Sequence, residues 1–185
     1  MMTKGEARAG AGRVGREDWI GEALVLLRRE GIAGVRVEPL ALRLKVTKGS
    51  FYWHFNDRAA LHAAMLEHWR AVTTRDVITR FDRTGGPARL KLRRLIGLAT
   101  GDVAPIELDT AMREWARQDE AAAAAVAATD SERIAYIGAL LREIGIKPSV
   151  ADLRARILYL SVVGSYFSQA GARRGLWREI EALIC

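Results

Sequence analysis

The chain of 185 residues has one cysteine, Cys185 at its final position, which excludes an internal disulfide framework and a cysteine-based zinc site. A lone thiol fits a reducing compartment. Histidine is almost as scarce. His62 and His68 stand six apart, do not share a helix face, and promise no metal site. No apolar run approaches the roughly 20 residues needed to span a bilayer. The first residues lack the apolar stretch of a signal peptide. The expectation is a cytoplasmic protein without a membrane partner. Sustained two-residue alternation is missing, so strands are not expected. No Ser–His–Asp constellation, glycine-rich phosphate loop or paired-carboxylate motif stands out. We therefore assign no catalytic residue, no metal site and no cofactor.

What is present is helix, charge and apolar surface. Half of the residues are hydrophobic, enough for one sizeable core or two small ones. The net charge of +7 and pI near 10.1 make a polyanion a plausible partner. The charge is concentrated early: residues 1–58 hold 11 Lys/Arg against 7 Asp/Glu. Pro39, Pro87, Pro105 and Pro148 each fall where a new helical pattern begins. The fold expected is all-α, about nine helices, in three parts. These are a basic flexible arm over 1–16, a small helical unit over 17–62 and a helical body over 63–185.

Within the small unit, Trp19, Ile20, Ala23, Leu24 and Leu27 give one apolar face to a helix over 17–30, closed by Gly31. A short helix over 38–44 follows, with Leu40, Ala41 and Leu44 turned inward. After a turn at Lys45 and Val46, Thr47 is placed to cap a helix over 48–54, and Asp57 to cap a long fourth helix over 58–81. Helix, short helix, tight turn, short helix is the helix-turn-helix pattern. Its last helix packs by one face and offers the other to a major groove. Phe51 and Phe55 fit the inner face. Lys48, Gly49, Tyr52, Trp53 and His54 fall elsewhere.

The stretch "LALRLKVTKGSFYWHFNDRAALHAAM" resembles the DNA-binding segment of the tetracycline-repressor (TetR) family of transcriptional regulators. Leu40–Ala41, Val46, Thr47, Gly49–Ser50, Phe51–Tyr52, His54–Phe55 and Leu61 carry the match. The resemblance implies that Thr47 and Tyr52 bond phosphates. Lys48, Gly49 and Ser50 would approach base edges, with Trp53 and His54 at the groove wall and Arg58 on a phosphate. Lys4, Arg8, Arg13 and Arg16 would add arm contacts, unless the arm is merely a solvated tail. Two positions depart from the family's pattern. Lys45 stands where the turn glycine is usual and would gain a phosphate contact of its own; Val37 stands in place of the usual threonine.

The resemblance further implies a dimer on a palindromic double-stranded operator. A dimer requires an apolar surface, and the penultimate helix supplies Leu153, Ile157, Leu160, Val163, Gly164 and Phe167. The last helix adds Leu176, Trp177 and Ile180. A repressor of this family also holds an unidentified small molecule in its body. Val72, Trp69, Met112, Trp115, Tyr136, Leu140, Tyr159 and Tyr166 are candidate lining residues, although aromatics at helical spacing are more often core. Arg113 and Arg117 are expected on the surface, paired with Glu114, Asp119 or Glu120; turned inward, they would favour an acidic ligand. A solid body with no cavity would point instead to a DNA-binding regulator controlled by a protein partner.

Overall fold

The computed structural model describes residues 14–100 and 105–167. Lys4, Arg8 and Arg13 of the arm, and Leu176, Trp177 and Ile180 of the last helix, lie outside the described residues. Those described form helices and turns, without a strand. In chain order the helices are α1 (Arg16–Glu30), α2 (Val37–Leu44), α3 (Lys48–Phe51), α4 (Arg58–Arg70), α5 (Asp76–Thr84), α6 (Ala88–Thr100), α7 (Pro105–Ala116), α8 (Glu120–Glu143) and α9 (Pro148–Phe167). A π-helical turn, Ala71–Arg75, joins α4 to α5 without leaving helical dihedrals, so residues 58–84 form one rod.

The ends of these helices follow local chemistry. Asp57 caps α4 by accepting from the Ala60 backbone N–H at 2.7 Å, and Asp119 caps α8 by accepting from that of Ala122. Gly31 ends α1 with φ 70°. Two details differ from the sequence reading. Arg16 belongs to α1 rather than to the arm, and its guanidinium lies 5.0 Å from the Phe55 ring centroid. The third helix closes at Phe51 rather than His54, although Phe55 N–H still donates to the Phe51 carbonyl at 3.0 Å.

Two cores result. The first gathers Trp19, Leu27, Leu40, Phe51, Phe55, Leu61, Met65 and Trp69 with Met112 and Trp115 of α7 and Val126 of α8. The small N-terminal unit is thus closed by helices of the body. Phe51 packs edge-on to Trp19 at 5.4 Å and stacks on Phe55 at 5.3 Å, which fastens α3 to α1. The second core lies between α6, α8 and α9, around Leu92, Ile96, Leu141, Ala155 and Leu158. Helix α8, 24 residues and so about 36 Å long, runs past both.

Candidate functional site

The first candidate surface is built on α3. With Phe51 and Phe55 buried, the residues between them turn outward: Tyr52 is 56% and Trp53 88% exposed, and His54 is half-buried. Lys45, Thr47, Lys48, Gly49 and Arg58 are exposed around them, and Ser50 is half-buried. The residues that the sequence assigned to DNA are therefore exposed or half-buried, and none belongs to a core. Thr47 takes the N-cap position of α3 through its extended backbone, but its hydroxyl makes no capping bond. That corrects the expectation of a side-chain cap. Val37 opens α2 half-buried against the first core, and α2 also lacks a side-chain cap.

Lys45 has φ 57° and ψ 39°, the left-handed conformation. Its N–H donates to the Leu42 carbonyl at 3.2 Å and the Val46 N–H to that of Ala41 at 3.0 Å. This is the Schellman closure of a helix. The same closure ends α8, where Gly145, with φ 97°, donates to Arg142 and Ile146 to Leu141. One closure uses glycine and the other a lysine.

One contact on this surface was not foreseen. Lys48 donates to the Glu38 carboxylate at 2.5 Å, linking the start of α3 to the start of α2. That hydrogen bond holds Glu38 below the usual carboxylate range and Lys48 above the usual ammonium value. The available signal was a lone acid on α2, ten positions before a lysine in a helix-turn-helix.

The second candidate site is a cavity of about 290 Å³ in the body. The π-helical turn and α5 form one side, and α6, α8, α9 and Asp109 of α7 line the rest. Tyr136, Tyr159, Tyr166 and Val72 line it, as the sequence placed them. Trp69, Met112 and Trp115 do not: all three are buried in the first core. Leu140 belongs to the second. The reason is geometric, since each faces a neighbouring helix closely enough to be sealed.

The polar floor of the cavity is an ion-pair cluster. Arg133 Nη1 donates to Asp109 at 2.9 Å, its Nε to Thr74 Oγ1 at 2.9 Å and its Nη2 to Thr73 Oγ1 at 3.0 Å. Arg113 donates to Asp109 at 3.0 Å and holds Asp130 by two bonds of 3.0 and 2.7 Å. Tyr159 Oη donates to Asp130 at 2.6 Å. Arg113 thus turns inward, against the expectation of a surface partner, because Asp109 and Asp130 neutralise it there. Burial opposes the charge of both arginines, but the carboxylates and Tyr159 outweigh it and raise both above the usual guanidinium value. Burial and the bond to Asp130 push the Tyr159 phenol up to about 12 even against Arg133. Arg133 also lies 5.6 Å from the Trp69 ring centroid, so the cavity floor rests on the first core. The four-residue spacing of Asp109 and Arg113 on α7 was the readable trace of this cluster.

The third feature is an apolar stripe on α9. Leu153, Ile157, Leu160 and Phe167 are 57–65% exposed, with Gly164 also exposed and Val163 half-buried. The intervals 153, 157, 160, 164 and 167 alternate four and three, the spacing of a helix–helix seam.

Among the described residues, no group of three or more His, Cys, Asp or Glu is placed to hold a metal ion. His62 packs on Trp115 and His68 lies 3.3 Å from Glu17. No described helix is long and apolar enough to cross a membrane.

Residues 20–65 match the family model described as bacterial regulatory proteins, tetR family. The fold is shared with a transcriptional regulator from Rhodococcus sp. Rha1 at a TM-score of 0.72 and 20% identity, covering 92% of this chain and 94% of that one. It is shared with NemR of E. coli in its reduced form at 0.71 and 19% identity, covering 91% and 94%. A regulator from Saccharomonospora viridis in complex with choline aligns at 0.76 and 16% identity, covering 91% and 94%. No curated protein matches the sequence.

Proposed function

Since the chain belongs to the TetR family of DNA-binding transcriptional regulators, we propose that it is a dimeric repressor, released from its operator when a small molecule fills the body cavity. The observation that carries this reading is the rod of residues 58–84. Its α4 half supplies Leu61, Met65 and Trp69 to the core that holds α3. Its π turn and α5 supply Thr73, Thr74, Val77 and Ile78 to the cavity wall. An occupant of the cavity pushes on the same element that seats the DNA-reading helix.

In this reading Lys45, Thr47, Tyr52 and Arg58 hold phosphates, which fixes register. Lys48, Gly49 and Ser50 meet base edges, and Trp53 and His54 flank the groove. A single head reads few base pairs, so two heads on a palindrome supply the specificity. The α9 stripe is where a second copy packs, and Gly164 lets the two helices approach closely. The cavity favours a small-molecule effector over control by a protein partner alone. The protein acts in the cytoplasm, where its operator is.

Footprinting and gel shift on the DNA upstream of its own gene test the core claim. The expected result is protection of a palindrome, with log K falling linearly as log salt rises. Absence of salt-sensitive binding to any palindromic site there sinks the repressor reading. Light scattering that gives a monomer at micromolar concentration removes the dimer separately.

A further inference from the structure

We infer that the effector is an uncharged, mainly apolar molecule with a hydrogen-bond acceptor, which binds Arg133 in competition with Thr73 and Thr74 of the π-helical turn. This rests on the effector-cavity reading above and gives the ligand a chemical class.

The walls are apolar, from residues such as Val77, Ile78, Leu95, Leu158 and Val162. Charge enters the lining, among the described residues, through Asp109, Arg133 and Arg80. On the floor it cancels. Asp109 accepts from Arg133 through one oxygen and from Arg113 through the other, and Asp130 accepts from both Nη atoms of Arg113, whose Nη2 also donates to Tyr159 Oη. Two guanidinium groups thus face two carboxylates. A ligand carboxylate would share Arg133 with Asp109 and repel it at close range. A ligand cation would meet an aspartate whose two oxygens already serve both guanidiniums. Either ion leaves a charge uncompensated against mainly apolar walls.

A neutral acceptor avoids both costs. The Arg133 bonds to Thr74 Oγ1 and Thr73 Oγ1 are to neutral oxygens, and a ligand carbonyl or hydroxyl can replace either. Exchange costs little there, whereas the bond to Asp109 is charge-assisted and stays. Thr73 also donates to the Trp69 carbonyl at 2.7 Å, inside the rod that carries the DNA-reading unit. Taking Arg133 from these threonines frees the π turn, where helical hydrogen bonding is already irregular. Arg80 does not change the ligand class. It is exposed and 5.8 Å from the Phe81 ring centroid, so an anion there gains only a solvent-screened contact.

The test uses the full-length protein near neutral pH and the neutral fluorescent probe N-phenyl-1-naphthylamine. The probe is displaced by 1-decanol, decanoate or decyltrimethylammonium, each below its micellar concentration. These share a chain and differ in head-group charge. Decanol is expected to displace the probe at concentrations about tenfold below either ion. Asp109→Asn leaves the floor positive and is expected to reverse the order in favour of decanoate, by about tenfold. Thr73→Val removes a competitor for Arg133 and is expected to strengthen decanol binding. If Asp109→Asn fails to fold, the ranking in the parent protein still decides. Probe binding with either ion equal to or better than decanol overturns this inference and leaves the cavity reading standing. No probe binding overturns both.

Discussion

Replacing Lys45 with glycine is expected to make the protein more stable and a poorer DNA binder at once. The turn after α2 holds Lys45 at φ 57°, a conformation that costs an L-residue about 1–2 kcal/mol. Glycine removes that cost but loosens the unfolded chain by about 0.4–1 kcal/mol. The difference is a gain of roughly 0.5–1 kcal/mol, which for a chain of this size raises Tm by about 1–4 °C. The turn closing α8 shows that glycine satisfies the same pair of backbone bonds, since Gly145 already does so. The lysine side chain is exposed, as are Thr47 and Lys48, on the surface proposed to meet DNA. If its charge meets a phosphate, losing it from both heads flattens the plot of log K against log salt by about 1.8.

Lys45→Ala separates the two effects. It keeps the left-handed strain, so Tm should not rise, yet it loses the same charge and should show the same shallower slope. Scanning calorimetry and gel shift over a salt series read both quantities. A lower Tm in Lys45→Gly refutes the strain argument. Parental salt slopes in both variants refute the phosphate contact.

On α9, Ile157→Asp should dissolve the proposed dimer. A stripe side chain about three-fifths exposed in one copy gains roughly 1–2 kcal/mol on burial and counts twice across a symmetric interface, so association weakens by at least about 30-fold in sedimentation; unchanged association would mean the seam lies elsewhere. His62 is held below the ordinary imidazole value of 6.5, first by burial and then by Arg58. The unfolded chain therefore binds the proton more readily, and the stability this residue contributes is full above about pH 7 and is lost as pH falls through 6.5 and below. His62→Phe, which still packs on Trp115, should flatten denaturant stability between about pH 7 and 5, and a variant as steep as the parent contradicts the assignment. Glu38→Gln releases Lys48 and removes a negative charge from the surface proposed to meet DNA, so binding to operator and unrelated DNA should both tighten a few-fold, most at low salt. If neither changes, the Glu38–Lys48 pair is irrelevant to DNA.

Why some of this was legible and some not comes down to the range of the interaction. The division of residues 47–58 into two faces follows from helical rotation and aromatic size alone. Phe51 and Phe55 went inward, and Tyr52 and Trp53 outward, as the sequence required. The α9 stripe is equally local, since one helix carries its whole period. The cavity is not local. Trp69, Met112 and Trp115 have the size and spacing of a ligand box, and only the approach of α7 to α1 and α4 makes them core. Arg113 misled for the same reason. Its neighbours Glu114 and Arg117 advertise a wet helix face, while the two carboxylates that draw it inward sit four residues before it and seventeen after. Asp109 is the residue on which the difference turns. Alone on an apolar helix it would be costly to bury, and removing one member of such a buried pair costs about 3–5 kcal/mol. Its burial therefore requires both arginines, one on its own helix and one on α8, and that requirement fixes α7 against α8 at the floor of the cavity. In the proposed effector reading, the same aspartate that docks these helices also sets the charge an occupant of the cavity would meet, so packing and ligand preference would change together at this position.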